Sequence, residues 1–313
     1  GDLDLSLRFW ADGTPRLSAY EYQGILLSAE HAGSALTCTS CHTMHGGNPE
    51  GMITDEMKGN AACLQCHGDI ADDISAHTKH LPASTGSDCY ACHMPKNTYG
   101  LLAIHRTHHI ENPDPSRAWQ YDMPEACTSC HVDQTAVWAA NAHAEQYGLN
   151  PPAPPPQAEF AEVAEPIRAL LMGDVVQRAV AIDALTAVES YTDDPVARLW
   201  VVPYLLIAME DNYPAIRHFG ERGLRHMLER AAPVAPELAA QTAALPRFDY
   251  LADEPERTAV LGEWWAWWQA VDKTGIENGG NTAVLLDENL QPRPELLLPL
   301  LEQRSNVNIS IGE

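Results

Sequence analysis

Eight cysteines constrain this chain more than any other feature, because all of them lie in C-x-x-C pairs that histidine follows directly. The four runs are CTSCH at 38–42, CLQCH at 63–67, CYACH at 89–93 and CTSCH at 127–131. Such a run is typical of covalent haem attachment, in which two thiols bond the porphyrin and the adjacent histidine ligates the iron. Redox dithiols, zinc sites and disulfides also use paired cysteines. None of these needs histidine after every pair, so the four runs predict four haem c groups.

The predicted site residues follow from the runs. The attachment cysteines are Cys38, Cys41, Cys63, Cys66, Cys89, Cys92, Cys127 and Cys130, and the proximal iron ligands are His42, His67, His93 and His131. Haem is attached covalently outside the cytoplasm, so we expect an exported protein, either periplasmic or extracellular. The chain begins at Gly1 without a signal peptide, which we interpret as the mature product of export.

Histidine is abundant enough to ligate each iron on both sides. Of 14 histidines, 12 precede residue 150. Eight of these remain after the proximal ligands: His31, His45, His77, His80, His105, His108, His109 and His143. Four irons need at most four distal ligands, so the supply predicts bis-histidine haems. Such haems are low-spin electron-transfer groups and lack the methionine ligand that raises the potential.

Four of the remaining histidines are the best candidates for distal ligands. His45 lies too close to His42 to bind the far side of the same haem, but it could reach a neighbouring haem. His77 and His80 have the i, i+3 spacing of one helical face and together would serve two haems. His108 is the next candidate. His31 is a reserve ligand, and His105 and His109 are surface or outer groups. His143 is a weak candidate.

The second half of the chain differs in composition from the first. Five prolines fall in 151–158, and the chain beyond has no cysteine and only two histidines. Apolar residues there recur at i, i+3 and i+4, which predicts consecutive helices. We therefore expect a mainly α fold: a tetrahaem cytochrome c domain with little regular structure over 1–150, a proline-rich linker over 151–158, and an all-α, HEAT-like repeat domain over 159–313. The run WWAWW at 264–268 is interpreted mainly as core.

The charge balance restricts the possible partners. A net charge of −24 cannot neutralise nucleic-acid phosphates and disfavours anionic membrane surfaces. An acidic cytochrome should instead be steered towards basic redox proteins or other cytochromes. The chain has no run of 18 apolar residues, so no membrane span is predicted.

The motifs and their flanks resemble a known family. CTSCHTMHGG, the HTKH pair, CYACHMPKNTYGLLAIHRTHHI and EACTSCH are similar to multihaem c-type cytochromes related to the tetrahaem and pentahaem proteins of nitrite and hydroxylamine metabolism. The resemblance implies closely stacked bis-histidine haems and a helical C-terminal region. It also favours four distal ligands: His45, His77, His80 and His108. The chain lacks the C-x-x-C-K motif of the nitrite-reducing members and has fewer haem motifs than the hydroxylamine-oxidising members. Both differences argue against catalysis of nitrite reduction or hydroxylamine oxidation.

Three functions remain open at this point. Electron transfer by four closely packed haems is the leading hypothesis. An alternative is an enzyme that acts on a small nitrogen or sulfur species at a five-coordinate haem. Another is a homo-oligomer, such as a subunit of a polymeric extracellular filament, in which a neighbouring copy donates a distal histidine.

Overall fold

The computed structural model describes residues 5–28, 36–43, 45, 48, 51–150, 158–187, 194–277, 280–307 and 309. About 52% of it is helical and strands are few, which confirms the mainly α fold class. Most of the proline-rich segment lies outside these residues. Among the helices that are described, none combines the length and the apolar character needed to cross a membrane.

The haem-motif segment consists of short helices joined by turns, as its many turn-forming residues predict. Its α-helices are α1 (Glu21–Leu27), α2 (Ala61–Leu64), α3 (Gly68–Ala71), α4 (Ile74–Thr78), α5 (Cys89–His93), α6 (Pro115–Gln120) and α7 (Ala136–Tyr147). Single 3₁₀ turns cover Leu5–Leu7, Cys38–Ser40, Asp55–Met57 and Thr85–Ser87. The first three C-x-x-C-H runs each overlap one of these short helical elements.

A β-hairpin interrupts this segment, and the sequence analysis did not predict it. Strands β1 (Lys96–Gly100) and β2 (Ala103–Arg106) pair antiparallel. Leu101 and Leu102 form the two-residue turn with φ of 50° and 55°. Positive φ at both positions is the type I′ geometry that Asn-Gly normally signals, so a Leu-Leu turn carries no sequence signature.

The second half of the chain is helical, as its periodicity predicts. Its helices are α8 (Glu165–Met172), α9 (Val175–Thr186), α10 (Val202–Met209), α11 (Pro214–Ala231), α12 (Pro236–Thr242), α13 (Glu254–Ala270) and α14 (Pro294–Glu302), with 3₁₀ turns at Ala158–Phe160, Ala197–Val201 and Thr282–Val284. Proline occupies the first turn of most of them, where its missing N–H costs nothing. The HEAT-like repeat itself stays a prediction.

Helix α9 is the centre of the core. Asp174 begins it with a capping box to Gln177, and most of its residues are buried. It packs against α8 and α11 on one side and against the hairpin on the other. In α13, Trp267 and Trp268 are buried, in agreement with the core interpretation of the tryptophan run.

The two predicted domains contact each other directly. Arg16 pairs with Asp174 through both carboxylate oxygens at 2.6 and 2.5 Å. Arg222 of α11 donates to the carbonyl oxygen of Leu102 at 3.0 Å. One hydrophobic cluster includes apolar side chains from both parts, Tyr99 of the hairpin among them. The haem-motif segment is therefore supported by the helical part, while the boundary at 151–158 stays a prediction.

Candidate functional site

Three pairs of histidine rings face each other across short gaps. His42 and His108 have ring centroids 6.1 Å apart with 25° between the ring planes. His77 and His93 are 5.9 Å apart at 16°. His80 and His131 are 6.2 Å apart at 34°. Each pair joins one predicted proximal ligand to one predicted distal ligand.

The spacing of these rings fits a metal held between two imidazoles. An imidazole nitrogen lies about 2.0 Å from a bound transition metal, so two rings on opposite sides of one metal have centroids about 6 Å apart. The three measured spacings match this value. On this criterion the residues present fit a bis-histidine haem iron at three positions.

Backbone carbonyl groups orient several of these rings. Nδ1 of His42 donates to the carbonyl oxygen of Gly51 at 2.7 Å, and Nδ1 of His93 donates to that of Glu111 at 2.8 Å. On the distal side, Nδ1 of His80 donates to the carbonyl oxygen of Thr78 at 2.7 Å. An imidazole held in this way presents Nε2 as the free ligand atom, which is the usual outer support of a metal-bound histidine.

The facing histidines also favour the neutral form that a metal requires. Burial lowers the pKa of His77, His108 and His131, and the histidine opposite each of them lowers it further. A neutral imidazole can donate its lone pair to a metal, whereas a protonated one cannot.

A break in the helix directs His77 and His80 to different partners. Helix α4 ends at Thr78, and Lys79 takes the left-handed conformation with φ of 61°. The i, i+3 spacing predicted that the two histidines share one helical face. Because the helix ends between them, they do not. His77 faces His93 of the third run, whereas His80 faces His131 of the fourth. That the two histidines ligate two different haems stays a prediction.

The cysteine thiols of neighbouring runs lie close together. Burial, together with Cys89 and Cys41, raises the pKa of Cys63 to about 12. Burial and Cys130 raise the pKa of Cys92 to about 11. All eight cysteines are described, and none of them is in a disulfide bond. The cysteines of successive runs are therefore close neighbours without a disulfide framework.

The second run differs from the other three. His67 is exposed, and so is His45, the remaining one of the four predicted distal ligands. Among the residues that the structure describes, neither ring faces another histidine. His67 does lie near His77, whose pKa it helps to lower. The reserve candidate His31 falls outside the described residues.

The lesser histidine candidates have other hydrogen-bond partners or neighbours. Nε2 of His105 bonds the carbonyl oxygen of Gly100 at 3.1 Å, and His143 packs its ring against Tyr147. Nδ1 of His109 lies 2.8 Å from Oγ1 of Thr14. The assignment of His105 and His109 as surface or outer groups, and of His143 as a weak candidate, stays a prediction.

One cluster of possible metal ligands lies beside the first site. Ligand atoms of Asp12, His109 and Glu111 fall within 4.8 Å of one another. The guanidinium of Arg117 pairs with both carboxylates, so it already supplies the positive charge there.

Two residues that sequence reasoning missed shape the fourth site. A Cβ at Gly86 would come within 2.3 Å of Cδ2 of His80, so a larger residue there would require the His80 ring to move. The ring of Trp138 lies 4.9 Å from that of His131. Neither residue lies in a C-x-x-C-H run, and no local signal in the sequence marks them.

Two segments of the chain match the models of known families. Residues 31–72 match the family described as doubled CXXCH motif, and residues 126–165 match cytochrome c554 and c-prime. These matches support a multihaem c-type cytochrome. They also support haem c as cofactor and haem-based electron transfer as the function. No curated protein and no solved structure matches the chain.

Proposed function

We propose that the cytochrome carries four haem c groups, each ligated by two histidines, and acts as an electron carrier. The observation that carries the proposal is the set of three histidine pairs, each about 6 Å between ring centroids. Their proximal members belong to three different C-x-x-C-H runs. A chance arrangement of surface histidines has no reason to repeat this spacing.

From these pairs we propose the ligands of three of the haems. His42 and His108 hold the first, His93 and His77 the third, and His131 and His80 the fourth. Each haem is attached through the two cysteines of its own run. For the second haem we assign His67 with His45, the remaining member of the distal set.

The proposed path for electrons follows the cysteine clusters. Cys63 lies beside Cys89 and near Cys41, so the first three haems share one neighbourhood. Cys92 lies near Cys130 and Cys127, which brings the third haem next to the fourth. Each haem, when bound, exchanges one electron at its iron. The protein positions the rings and closes the irons to other ligands.

The net charge and the covalent haem attachment suggest the partners and the location of the protein. The net charge of −24 favours a basic redox protein, or the positively charged surface of another cytochrome. Covalent haem attachment requires export, so we place the protein in the periplasm or outside the cell.

A second candidate function concerns the second haem alone. His67 and His45 are both exposed, and within the described part of the chain neither faces another histidine ring. If the iron at His67 had an open side, it could bind a small nitrogen or sulfur species as an enzyme does. A histidine from another copy could fill the same position in a polymeric filament.

Mass spectrometry and spectroscopy of the purified holoprotein test these proposals. We expect the mass of the polypeptide plus four haems, low-spin electron paramagnetic resonance signals only, and no carbon monoxide binding by the reduced protein. A mass without haem would contradict the main proposal. One high-spin haem that binds carbon monoxide would favour the enzyme, and loss of that signal on assembly would favour the filament.

A further inference from the structure

The fourth attachment run is held by a buried carboxylate. Glu125 is only 7% exposed. One carboxylate oxygen accepts from the backbone N–H of Cys127 at 2.6 Å. The other accepts from the backbone N–H and the hydroxyl of Thr128, at 2.6 and 2.5 Å. All three contacts are donated to Glu125, which is the pattern an ionised carboxylate prefers.

The other runs are held differently. Thr37 caps the first through its side chain and that of Ser40. The amide oxygen of Asn60, next to the second run, accepts from the backbone N–H of Cys89 at 2.8 Å. Asp88 caps the third by accepting from the backbone N–H of Tyr90 at 3.1 Å, and it is only half-buried. Among these side chains, the buried carboxylate is that of Glu125, at the fourth run.

Glu125 lies at the edge where the fourth haem attaches. Its side chain is within hydrogen-bonding range of the Cys127 side chain. Its charge also acts on Cys92 of the third run, whose pKa it helps to raise. Charges in a buried setting are screened less than charges in water, so a carboxylate there acts strongly on nearby groups.

We propose that Glu125 is a positioning residue that holds the fourth attachment run and whose negative charge lowers the midpoint potential of the fourth haem. This inference rests on the proposed function, because it needs haem at Cys127 and Cys130. The sign follows from electrostatics: a negative charge stabilises the ferric iron, which carries one more positive charge than the ferrous iron.

The test is a redox titration of the holoprotein that resolves the individual haems by nuclear magnetic resonance of their methyl groups. Burial raises the pKa of Glu125, so the titration is repeated at increasing pH and the variants are compared where the wild-type potential no longer changes with pH. In Glu125→Gln we expect the ferric-to-ferrous ratio of the fourth haem to fall about tenfold at fixed ambient potential, a positive shift of about 59 mV. The third haem should shift less. Asp88→Asn is the matched control and should leave the fourth haem unchanged.

A second pair of variants separates charge from shape. Glu125→Asp and Glu125→Asn both place a good capping side chain at this position but differ in charge. We expect the Asn variant to have the more positive potential at the fourth haem, and this pair decides the matter if Glu125→Gln loses that haem. Fully loaded variants with equal potentials would overturn the inference and leave the proposed function intact. A wild-type protein without haem at Cys127 and Cys130 would overturn both.

Discussion

Gly86 lies directly against the imidazole of His80, and a Cβ at Gly86 would come within 2.3 Å of Cδ2 of that ring. The same ring faces His131 at 6.2 Å and is tied to the backbone of Thr78. Gly86 thus leaves the space that the ring of His80, a proposed iron ligand, occupies. This relationship makes the fourth haem sensitive to the smallest possible side-chain addition.

Gly86→Ala should therefore displace His80 from the fourth iron. We expect one haem of the four to become high-spin and to bind carbon monoxide when reduced, measured by electron paramagnetic resonance and by visible spectroscopy. The control is Gly68→Ala, where an added Cβ meets nothing within 4 Å. Low-spin spectra from both variants would contradict the assignment of His80.

His77→Ala should open the third haem in the same way. His77 faces His93 at 5.9 Å, and removal of its imidazole leaves the iron with one histidine ligand. We expect carbon monoxide to bind one equivalent of haem per polypeptide. His105→Ala should bind none, because His105 is exposed and bonds the carbonyl oxygen of Gly100. Equal carbon monoxide binding by the two variants would count against this pairing.

Arg16→Met should destabilise the folded holoprotein strongly. The Arg16 and Asp174 side chains are only 8% and 14% exposed, so removal of one partner leaves a nearly buried carboxylate unpaired. We expect a loss of about 3 kcal/mol in the free energy of unfolding, measured by urea denaturation. Lys58→Met removes an ion pair with Asp55 whose side chains are 50% and 85% exposed, and should leave the free energy of unfolding close to that of the wild type. Similar losses in both variants would refute the structural role of the Arg16 pair.

Asn60→Ala should loosen the contact between the second and third runs. The Asn60 amide donates to the carbonyl oxygen of Ser87 at 2.7 Å and accepts from the N–H of Cys89 at 2.8 Å. Leaving both backbone groups unpaired should cost about 1–3 kcal/mol of unfolding free energy, again measured in urea. Gln65→Ala, at an exposed side chain that bonds within its own turn, should change it by less than about 0.5 kcal/mol. A loss no larger than that of the control would show that Asn60 does not join the runs.

The sequence alone predicted the chemistry of this protein well. The four C-x-x-C-H runs indicated covalent haem, and the family matches support haem c and electron transfer. The mainly α fold class followed from apolar periodicity and is confirmed. These features were readable because both attachment bonds and one iron ligand fall within five consecutive residues, so their geometry is local.

Only the tertiary structure decided which histidines face each other. His108 lies far along the chain from His42, and His77 and His80 diverge because Lys79 ends their helix. The hairpin at Leu101 and the burial of Glu125 likewise left no signature in the sequence. Distal ligation, ring orientation and local charge act through space, so they depend on how distant segments pack. The chain specifies haem attachment residue by residue, whereas the surroundings of each haem are set by the folded molecule.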